Sequence, residues 1–400
     1  MHTLNFINLL IDFPFSFGQK SSLLLIFFFH GIIFSVLSLR IGILNHNKSS
    51  KWLSLLLFLY TMYITPYMLG YANWYDGETT KEILFFIPFM QVLLIGPVVY
   101  FYTQSLLNRS FVLSKKDWFH FIPTLLYLIY SLIIFITDKL ILDKYYFYAD
   151  GRDKDLANWY QAAGLISMGF YLILSLRYYA NYKKLIFDTV SYAETILFNW
   201  IRNFMIAFLC ILILRILFFI LNPDWGEFGS QFWHYISFSF VFYYISINGY
   251  TNAVKSSVFY ITNSKNEAIF TKTDEQKTVL QDIGVDKDIE LWKAKILVLI
   301  TEGKIHENPT LTLADVAEKL NTHTKTISSV INNGFEMNFN DFINHYRVEA
   351  VIEKLKNGEQ NTKTLLGIAL ECGFNSKATF NRAFKKNTSL SPKEYLVKLS

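Results

Sequence analysis

The sequence predicts an all-α protein in two parts, a bundle of about seven membrane-spanning helices followed by a smaller domain of short helices. The 400-residue chain is 52% hydrophobic and only 17% charged, whereas an average soluble protein is roughly one-quarter charged. The apolar excess ends near Tyr250, and the last part instead carries apolar residues at helical spacing. We therefore divide the chain into a membrane domain (1–250), a linker (251–287) and a soluble domain (288–400).

Seven apolar stretches approach the ~20 residues that a helix needs to cross the hydrocarbon core of a bilayer. They are Ser21–Leu39, Trp52–Tyr71, Ile83–Tyr102, Phe119–Ile136, Trp159–Leu176, Phe198–Leu221 and Phe232–Tyr250. Lysine and arginine collect in the connections after the first, third and fifth stretches, while the alternate connections are acidic or mixed. The positive-inside rule then places the N-terminus outside and everything after Tyr250 in the cytoplasm.

Polar residues inside these stretches are candidates for sensing a signal, because a charge within a bilayer is costly unless it is paired or lines a cavity. Arg215 is the strongest candidate, either as a structural ion pair with Asp224 or Glu227 or as a contact to a bound anion. His30, Gln91 and His234 are further candidates of the same kind. They share no spacing, so we expect no metal site, haem or other cofactor.

Two connecting segments are less informative. The outer connection from Thr137 to Asn158 is either a lid over the bundle or, as we favour, a solvated loop with aromatic anchors. The linker 251–287 shows no clear apolar period, which indicates a partly flexible connector.

The first of two helix-turn-helix patterns occupies about 311–332 and reads LADVAEKLNTHTKTISSVINN from Leu313. Thr312 or a neighbour caps its first helix, and Asn321 at the turn can adopt the left-handed conformation that Asn tolerates. We expect the second helix to run from Thr324 to Asn332. Its outward face would present Lys325, Ser328, Ser329 and Asn332.

The second pattern occupies about 364–386 and reads LLGIALECGFNSKATFNRAFKK from Leu365. Cys372 and Gly373 form the turn, Phe374 enters the core, and Ser376 caps a helix with an outward face of Lys377, Ala378, Asn381, Arg382 and Lys385. Three further helices are expected around the two units. They are a supporting helix at Asp288–Lys304, a joining helix at Phe339–Leu355 and a closing helix that starts at Pro392.

The second pattern, together with Ser391, Pro392, Tyr395 and the run NHYRVEA (344–350), resembles the DNA-binding domain of the AraC/XylS family of bacterial transcription regulators. The resemblance covers about Asp288–Ser400. The membrane half, through GPVVYFY and FHFIP, resembles the membrane domain fused to such tails in some bacterial regulators. The resemblance implies a multi-pass protein of the bacterial cytoplasmic membrane.

The resemblance also implies that two recognition helices enter successive major-groove segments of double-stranded DNA. The implied contacts are Lys325, Ser328 and Ser329 in the first helix and Lys377, Ala378, Thr379, Asn381 and Arg382 in the second. Arg382 would bind guanine and Asn381 adenine, while Lys385 and Lys386 would hold phosphates. This chain departs from the family at Asn321, His323 and Ser389, each of which is tolerable. Because the first recognition helix is weakly charged, we expect it to carry less specificity than the second.

These observations predict a one-component transcription regulator anchored in the lipid bilayer, with a small-molecule or lipid signal and a homodimer as possible partners. One alternative is a tethered DNA-binding module that senses nothing. Another is an enzyme or transporter, which we do not favour because the sequence has no phosphate loop, paired carboxylates, nucleophile elbow or zinc-ligand spacing. We therefore expect no enzymatic activity.

Overall fold

The computed structural model describes residues 16–108, 110–193, 199–221, 229–262 and 289–399. The chain is 78% helical, and the described part contains no β-strand, so the predicted all-α class is confirmed. Two compact units are present. The first comprises Met1–Tyr179 and Asn199–Asp274, and the second comprises Ala180–Phe198 and Glu275–Ser400.

The first unit contains eight long or medium helices among its described residues. They are α1 (Gln19–Leu44), α2 (Lys48–Gly70), α3 (Glu78–Phe86), α4 (Val92–Leu107), α5 (Ile122–Phe135), α6 (Asn158–Thr189), α7 (Asn199–Leu221) and α8 (Phe232–Thr262). Helix α6 is continuous past Tyr179 and ends within the second unit. Helix α8 continues to Thr262, beyond the expected end of the last apolar stretch.

Five helical segments are long and apolar enough to cross a membrane: Gln19–Leu44, Lys48–Gly70, Asp117–Ile141, Asn158–Thr189 and Asn199–Phe218. The seventh predicted span lies in α8, which is not among these five segments. The third predicted span is not one continuous helix, because α3 ends at Phe86 and α4 begins at Val92. Ile87 is extended (ψ 114°), as expected for a residue that precedes proline.

The close packing of α1 on α2 depends on small residues. Ser35 and Ser54 exchange hydrogen bonds, each Oγ donating to the other's carbonyl at 2.9 and 2.8 Å. A Cβ added at Gly31 would overlap the hydroxyl of Thr61 on α2. Small residues and hydroxyl groups at helix contacts are typical of membrane bundles.

The outer surfaces of this unit are strongly apolar. On α1, for example, Ile26 is 64% exposed and Phe29 is 57% exposed, while in α5 Leu126 is 60% exposed. Contiguous exposed apolar surface of this kind is rare on soluble proteins and marks a surface that contacts lipid or another protein.

The second unit contains seven helices among its described residues. They are α9 (Ile289–Thr301), α10 (Leu313–Lys319), α11 (Thr324–Ser329), α12 (Phe339–Lys356), α13 (Leu365–Glu371), α14 (Lys377–Thr388) and α15 (Pro392–Leu399). These helices surround two apolar cores. Helix α12 contributes Phe339, Phe342 and Ile343 to the first core and Val348, Val351 and Leu355 to the second. The joining helix therefore couples the two halves of this domain.

Candidate DNA-binding surface

Two helix–turn–helix units in the second domain have turns with the same backbone hydrogen bonds. In the first, the amide of Thr322 donates to the carbonyl of Ala317 at 2.9 Å, and that of Asn321 donates to Glu318 at 3.0 Å. In the second, Phe374 donates to Ala369 and Gly373 to Leu370, both at 3.1 Å. Each pair of bonds forms a Schellman motif, which satisfies carbonyls at the end of a helix.

Both motifs place a left-handed residue at the turn, as the sequence predicts for Asn321. Asn321 has φ +47° and Gly373 has φ +91°. Glycine is required at the second position for a further reason, because an added Cβ would lie 2.3 Å from the carbonyl oxygen of His306. The second turn therefore packs directly against the backbone of another segment.

The first recognition helix, α11, is short and lacks a side-chain cap. It covers Thr324–Ser329 and continues as a wider π-type turn over Val330–Gly334, so the predicted helix to Asn332 is only partly regular. His323 stands at the N-cap position, where its carbonyl accepts from the helix but its side chain accepts no hydrogen bond. The N-terminus of α10, the first helix of this helix–turn–helix unit, is stabilised by a reciprocal capping box between Thr312 and Asp315.

The outward face of α11 is weakly charged. Lys325 is exposed, whereas Ser328 and Ser329 are half-buried. Their hydroxyls accept hydrogen bonds from the side chains of Asn332 and Asn333 at 3.3 and 3.2 Å. Lys325 is thus the predicted contact of this helix that is most accessible to DNA.

The second recognition helix, α14, is longer and capped. Ser376 Oγ accepts a hydrogen bond from the amide of Thr379 at 3.2 Å. A single exposed face then presents Lys377, Ala378, Asn381, Arg382 and Lys385. The opposite face packs into the core through Phe380, Ala383 and Phe384. This arrangement gives a row of cationic and amide side chains on one rigid element.

Two residues predicted to contact DNA have other partners. Thr379 is only 2% exposed, and its hydroxyl lies 2.9 Å from that of Ser376, so it belongs to the cap rather than to the outward face. The ammonium group of Lys386 lies 2.7 Å from a carboxylate oxygen of Asp341. Lys386 therefore links α14 to α12, although its side chain is still 62% exposed.

A cluster of charged side chains fixes α13 to its neighbours. Glu371 accepts from Lys354 at 2.7 Å and from Lys363 at 2.8 Å. These two ammonium groups lower the pKa of Glu371 to about 2. Lys363, which contributes to the basic excess of the sequence, is therefore already paired within the domain.

Arg347, on the joining helix, is not among the residues that the sequence singled out. Arg347 is buried to 1% exposure, whereas Tyr346 and Ile352 are only partly buried. Its Nε donates to the carbonyl of His306 at 2.8 Å, and its Nη2 donates to that of Asn308 at 2.7 Å. The signal in the sequence was its position between Ile343 and Val351 on the inward face of an amphipathic helix.

Among the candidate sensing residues, the structure brings Arg215 and His234 together in the first unit. Arg215 Nη1 lies 3.0 Å from His234 Nε2, and its Nη2 donates to the side-chain oxygen of Gln161. The guanidinium also lies over the ring of Tyr63, 5.4 Å from its centroid. The proposed partners Asp224 and Glu227 lie outside the described residues.

The other two candidates have separate surroundings. His30 Nε2 bonds with the hydroxyl of Ser246, and the Gln91 amide donates to the carbonyl of Pro88 at 2.7 Å. Among the described residues no group of three or more His, Cys, Asp or Glu side chains converges as metal ligands would.

In a comparison with known protein families, residues 316–398 match the model of a helix-turn-helix domain. No curated protein and no solved structure matches the chain. Residues 316–398 thus match a helix-turn-helix domain, and this match supports an AraC-type DNA-binding domain, sequence-specific DNA binding in transcription regulation and DNA as a partner. The match does not include the apolar helices that precede it, which are compatible with a membrane protein.

Proposed function

We propose that this protein is a membrane-anchored transcription regulator that recognises double-stranded DNA with two unequal helix–turn–helix units. The observation that carries the proposal is the exposed face of α14 within a domain that matches an AraC-type family. On that face Asn381 and Arg382 are adjacent, with Lys377 and Lys385 one turn to either side. The lysines suit phosphate contacts, which supply affinity and register.

The sequence preference would come mainly from Arg382 and Asn381. Arginine pairs in bidentate fashion with the O6 and N7 atoms of guanine, and asparagine pairs with the N6 and N7 atoms of adenine. Lys325, which lies on a short helix beside two half-buried serines, would contribute mainly charge.

Selection of bound sequences from random DNA by the full chain, reconstituted in lipid nanodiscs, tests this proposal. We expect an enriched site with two blocks about one helical turn apart. Arg382→Ala should relax the preference in one block and weaken binding by about 1–3 kcal/mol. Lys325→Ala is the matched control, which should weaken binding to all sequences equally and reduce the salt slope by about one.

An absence of any enriched sequence at low and moderate salt would contradict the proposal. If Arg382→Ala and Lys325→Ala changed the sequence preference equally, the proposal of DNA binding would stand, but the assignment of specificity to α14 would be wrong.

Membrane anchoring is supported by five helices of spanning length and by the exposed apolar surfaces of α1 and α5. We propose that the protein resides in a bacterial cytoplasmic membrane with its N-terminus outside and its DNA-binding domain in the cytoplasm. Labelling of engineered cysteines from each side of sealed vesicles tests this topology. Labelling of both termini from the same side would contradict it.

We further propose that the membrane domain gates DNA binding in response to a small-molecule or lipid signal, without any enzymatic step. The buried cluster of Arg215, His234 and Gln161 supports this idea, because polar networks within apolar bundles are costly and commonly functional. The alternative is a tether that senses nothing. Fusion of the DNA-binding domain to an unrelated single anchor would separate the two, since full retention of regulation would favour the tether.

A further inference from the structure

A short segment that follows α6 packs into the DNA-binding domain. We define the clasp segment as Val190–Ala193, which the structure groups with the second unit. Val190 forms an antiparallel bridge with Thr312, and the amide of Ser191 donates to the carbonyl of Leu311 at 3.1 Å. The side-chain amide of Asn340 donates to the carbonyl of Val190 at 3.3 Å.

The clasp segment also supplies partners to the buried guanidinium of Arg347. Ser191 accepts two hydrogen bonds from it, one at its carbonyl at 3.3 Å and one at its hydroxyl at 2.9 Å. The remaining acceptors are the carbonyls of His306 and Asn308 and the side-chain oxygen of Asn344. All five acceptors are neutral, so the buried charge depends on a complete set of hydrogen bonds.

Removal of the clasp segment would leave this charge with too few partners. Burial lowers the pKa of Arg347 to about 9, so the group is still protonated at neutral pH. Loss of hydrogen bonds to a buried charged donor costs more than loss of ordinary ones. Because Val190 and Ser191 are themselves buried, at 1% and 0% exposure, the segment completes this core instead of resting on its surface.

The position of Arg347 connects the clasp segment with both helix–turn–helix units. Arg347 lies on α12, which contributes to both apolar cores. The bridge partner Thr312 caps the first helix of the first unit. The carbonyl of His306, which accepts from Arg347, lies against Gly373 at the turn of the second unit.

The clasp segment leaves the predicted DNA contacts accessible. Lys325, Lys377, Asn381 and Arg382 are all exposed while the segment is docked. The docked clasp segment therefore does not block the recognition helices, and any effect of docking would act through the arrangement of the two helix–turn–helix units.

We propose that the clasp segment is the regulatory contact of this DNA-binding domain. When docked, it holds the two helix–turn–helix units in the arrangement that binds DNA, and its displacement lowers affinity. Helix α6 is continuous from Asn158 to Thr189, directly before the segment, so a shift of this helix along its axis would pull on the contact. This inference rests on the proposed function and specifies its regulation.

The test uses the full chain in lipid nanodiscs, with affinity measured for a DNA site selected by the wild-type protein. Ser191→Pro removes the amide donor and the hydroxyl, and we expect it to lower affinity about tenfold or more. Ser191→Ala removes only the hydroxyl and should lower affinity by about threefold. Hydrogen exchange along α12 should rise in the same order.

A disulfide provides a matched control within one protein. Val190 and Thr312 form an antiparallel pair, whose Cα separation suits a disulfide. In a Ser191→Ala chain that also carries Val190→Cys, Thr312→Cys and Cys210→Ala, oxidation should restore the affinity that the reduced form lacks. This comparison holds even if Ser191→Pro fails to fold.

Equal affinity of the oxidised and reduced forms, together with unchanged exchange along α12 in Ser191→Ala, would overturn the inference. Failure of the proposed function has a different result, since the wild-type chain would then select no DNA sequence at all. Exchange along α12 would still report whether the clasp segment supports the domain in that case.

Discussion

The two helix–turn–helix units have the same turn but different recognition helices. Both turns are Schellman motifs with a left-handed residue, Asn321 in one and Gly373 in the other. After the turn, however, α11 covers Thr324–Ser329 and has no side-chain cap, whereas α14 covers Lys377–Thr388 and is capped by Ser376. The backbone conformation of the turn is thus repeated in the two helix–turn–helix units, whereas the exposed face of the recognition helix is not.

This difference shows which features a helix–turn–helix unit requires and which can vary. The turn needs a left-handed residue, and either asparagine or glycine supplies it. The choice between them depends on the neighbours, because only Gly373 faces another backbone segment closely. The recognition helix needs a buried face, but its cap and its charges can vary. We therefore expect the second unit to dominate both sequence recognition and sensitivity to mutation.

The largest expected effect is at the second turn. Gly373→Ala should destabilise the domain by at least about 2 kcal/mol, because the left-handed backbone disfavours a Cβ and His306 blocks the space. Asn321→Ala, the matched change in the first turn, should cost only about 1 kcal/mol. Denaturant unfolding of the full chain, followed by hydrogen exchange in each unit, measures both. Equal costs would remove the distinction between the two turns.

The next effect concerns the helix caps. Ser376→Ala should cost about 1 kcal/mol, because the amide of Thr379 loses its acceptor. In the first helix–turn–helix unit, the recognition helix α11 has no side-chain cap, so His323→Ser should stabilise the domain by about 0.5 kcal/mol. His323→Ala is the control and should be close to neutral. A loss of stability in His323→Ser would mean that His323 has a role that its backbone position does not explain.

The smallest effect is the response to acid of the charged cluster around Glu371. Its pKa is lowered to about 2 by Lys354 and Lys363, so its contribution to stability is present above the ordinary carboxyl pKa of 4.5 and is lost as the pH falls towards 2. Glu371→Gln should therefore make the stability of the DNA-binding domain depend less on pH in this window. It should change that stability little at neutral pH, since the charged side chains of the cluster are partly exposed.

Circular dichroism between pH 7 and pH 2 measures this effect, with Glu349→Gln as a control carboxylate on α12. An acid profile of Glu371→Gln that overlays the wild type would contradict the assignment.

Much of the second domain could be predicted from the sequence, because its patterns are local. Helix periodicity, the cap at Ser376, the left-handed Asn321 and the turn at Gly373 all depend on neighbours within a few positions, and the structure confirms them. The prediction was weaker where distant residues decide. Thr379 was assigned to the DNA face but is buried beside its cap, and Lys386 was assigned to phosphate but lies against Asp341.

The apolar first half of the chain shows the same division. Apolar length was enough to predict five segments of spanning character. It could not predict that Pro88 interrupts the third stretch, since a proline within a membrane helix is often tolerated, or that α8 continues to Thr262.

The sequence by itself determined the helical class and the helix–turn–helix pattern of the second domain, and it predicted residues suited to contact DNA, because each follows from short-range spacing and side-chain chemistry. The tertiary structure alone decided that Ser191, far away in the chain, supplies two of the hydrogen bonds to the buried Arg347. A buried charge is stable only where the fold assembles acceptors around it. In this protein those acceptors come from segments separated by more than a hundred residues, which no local pattern can reveal.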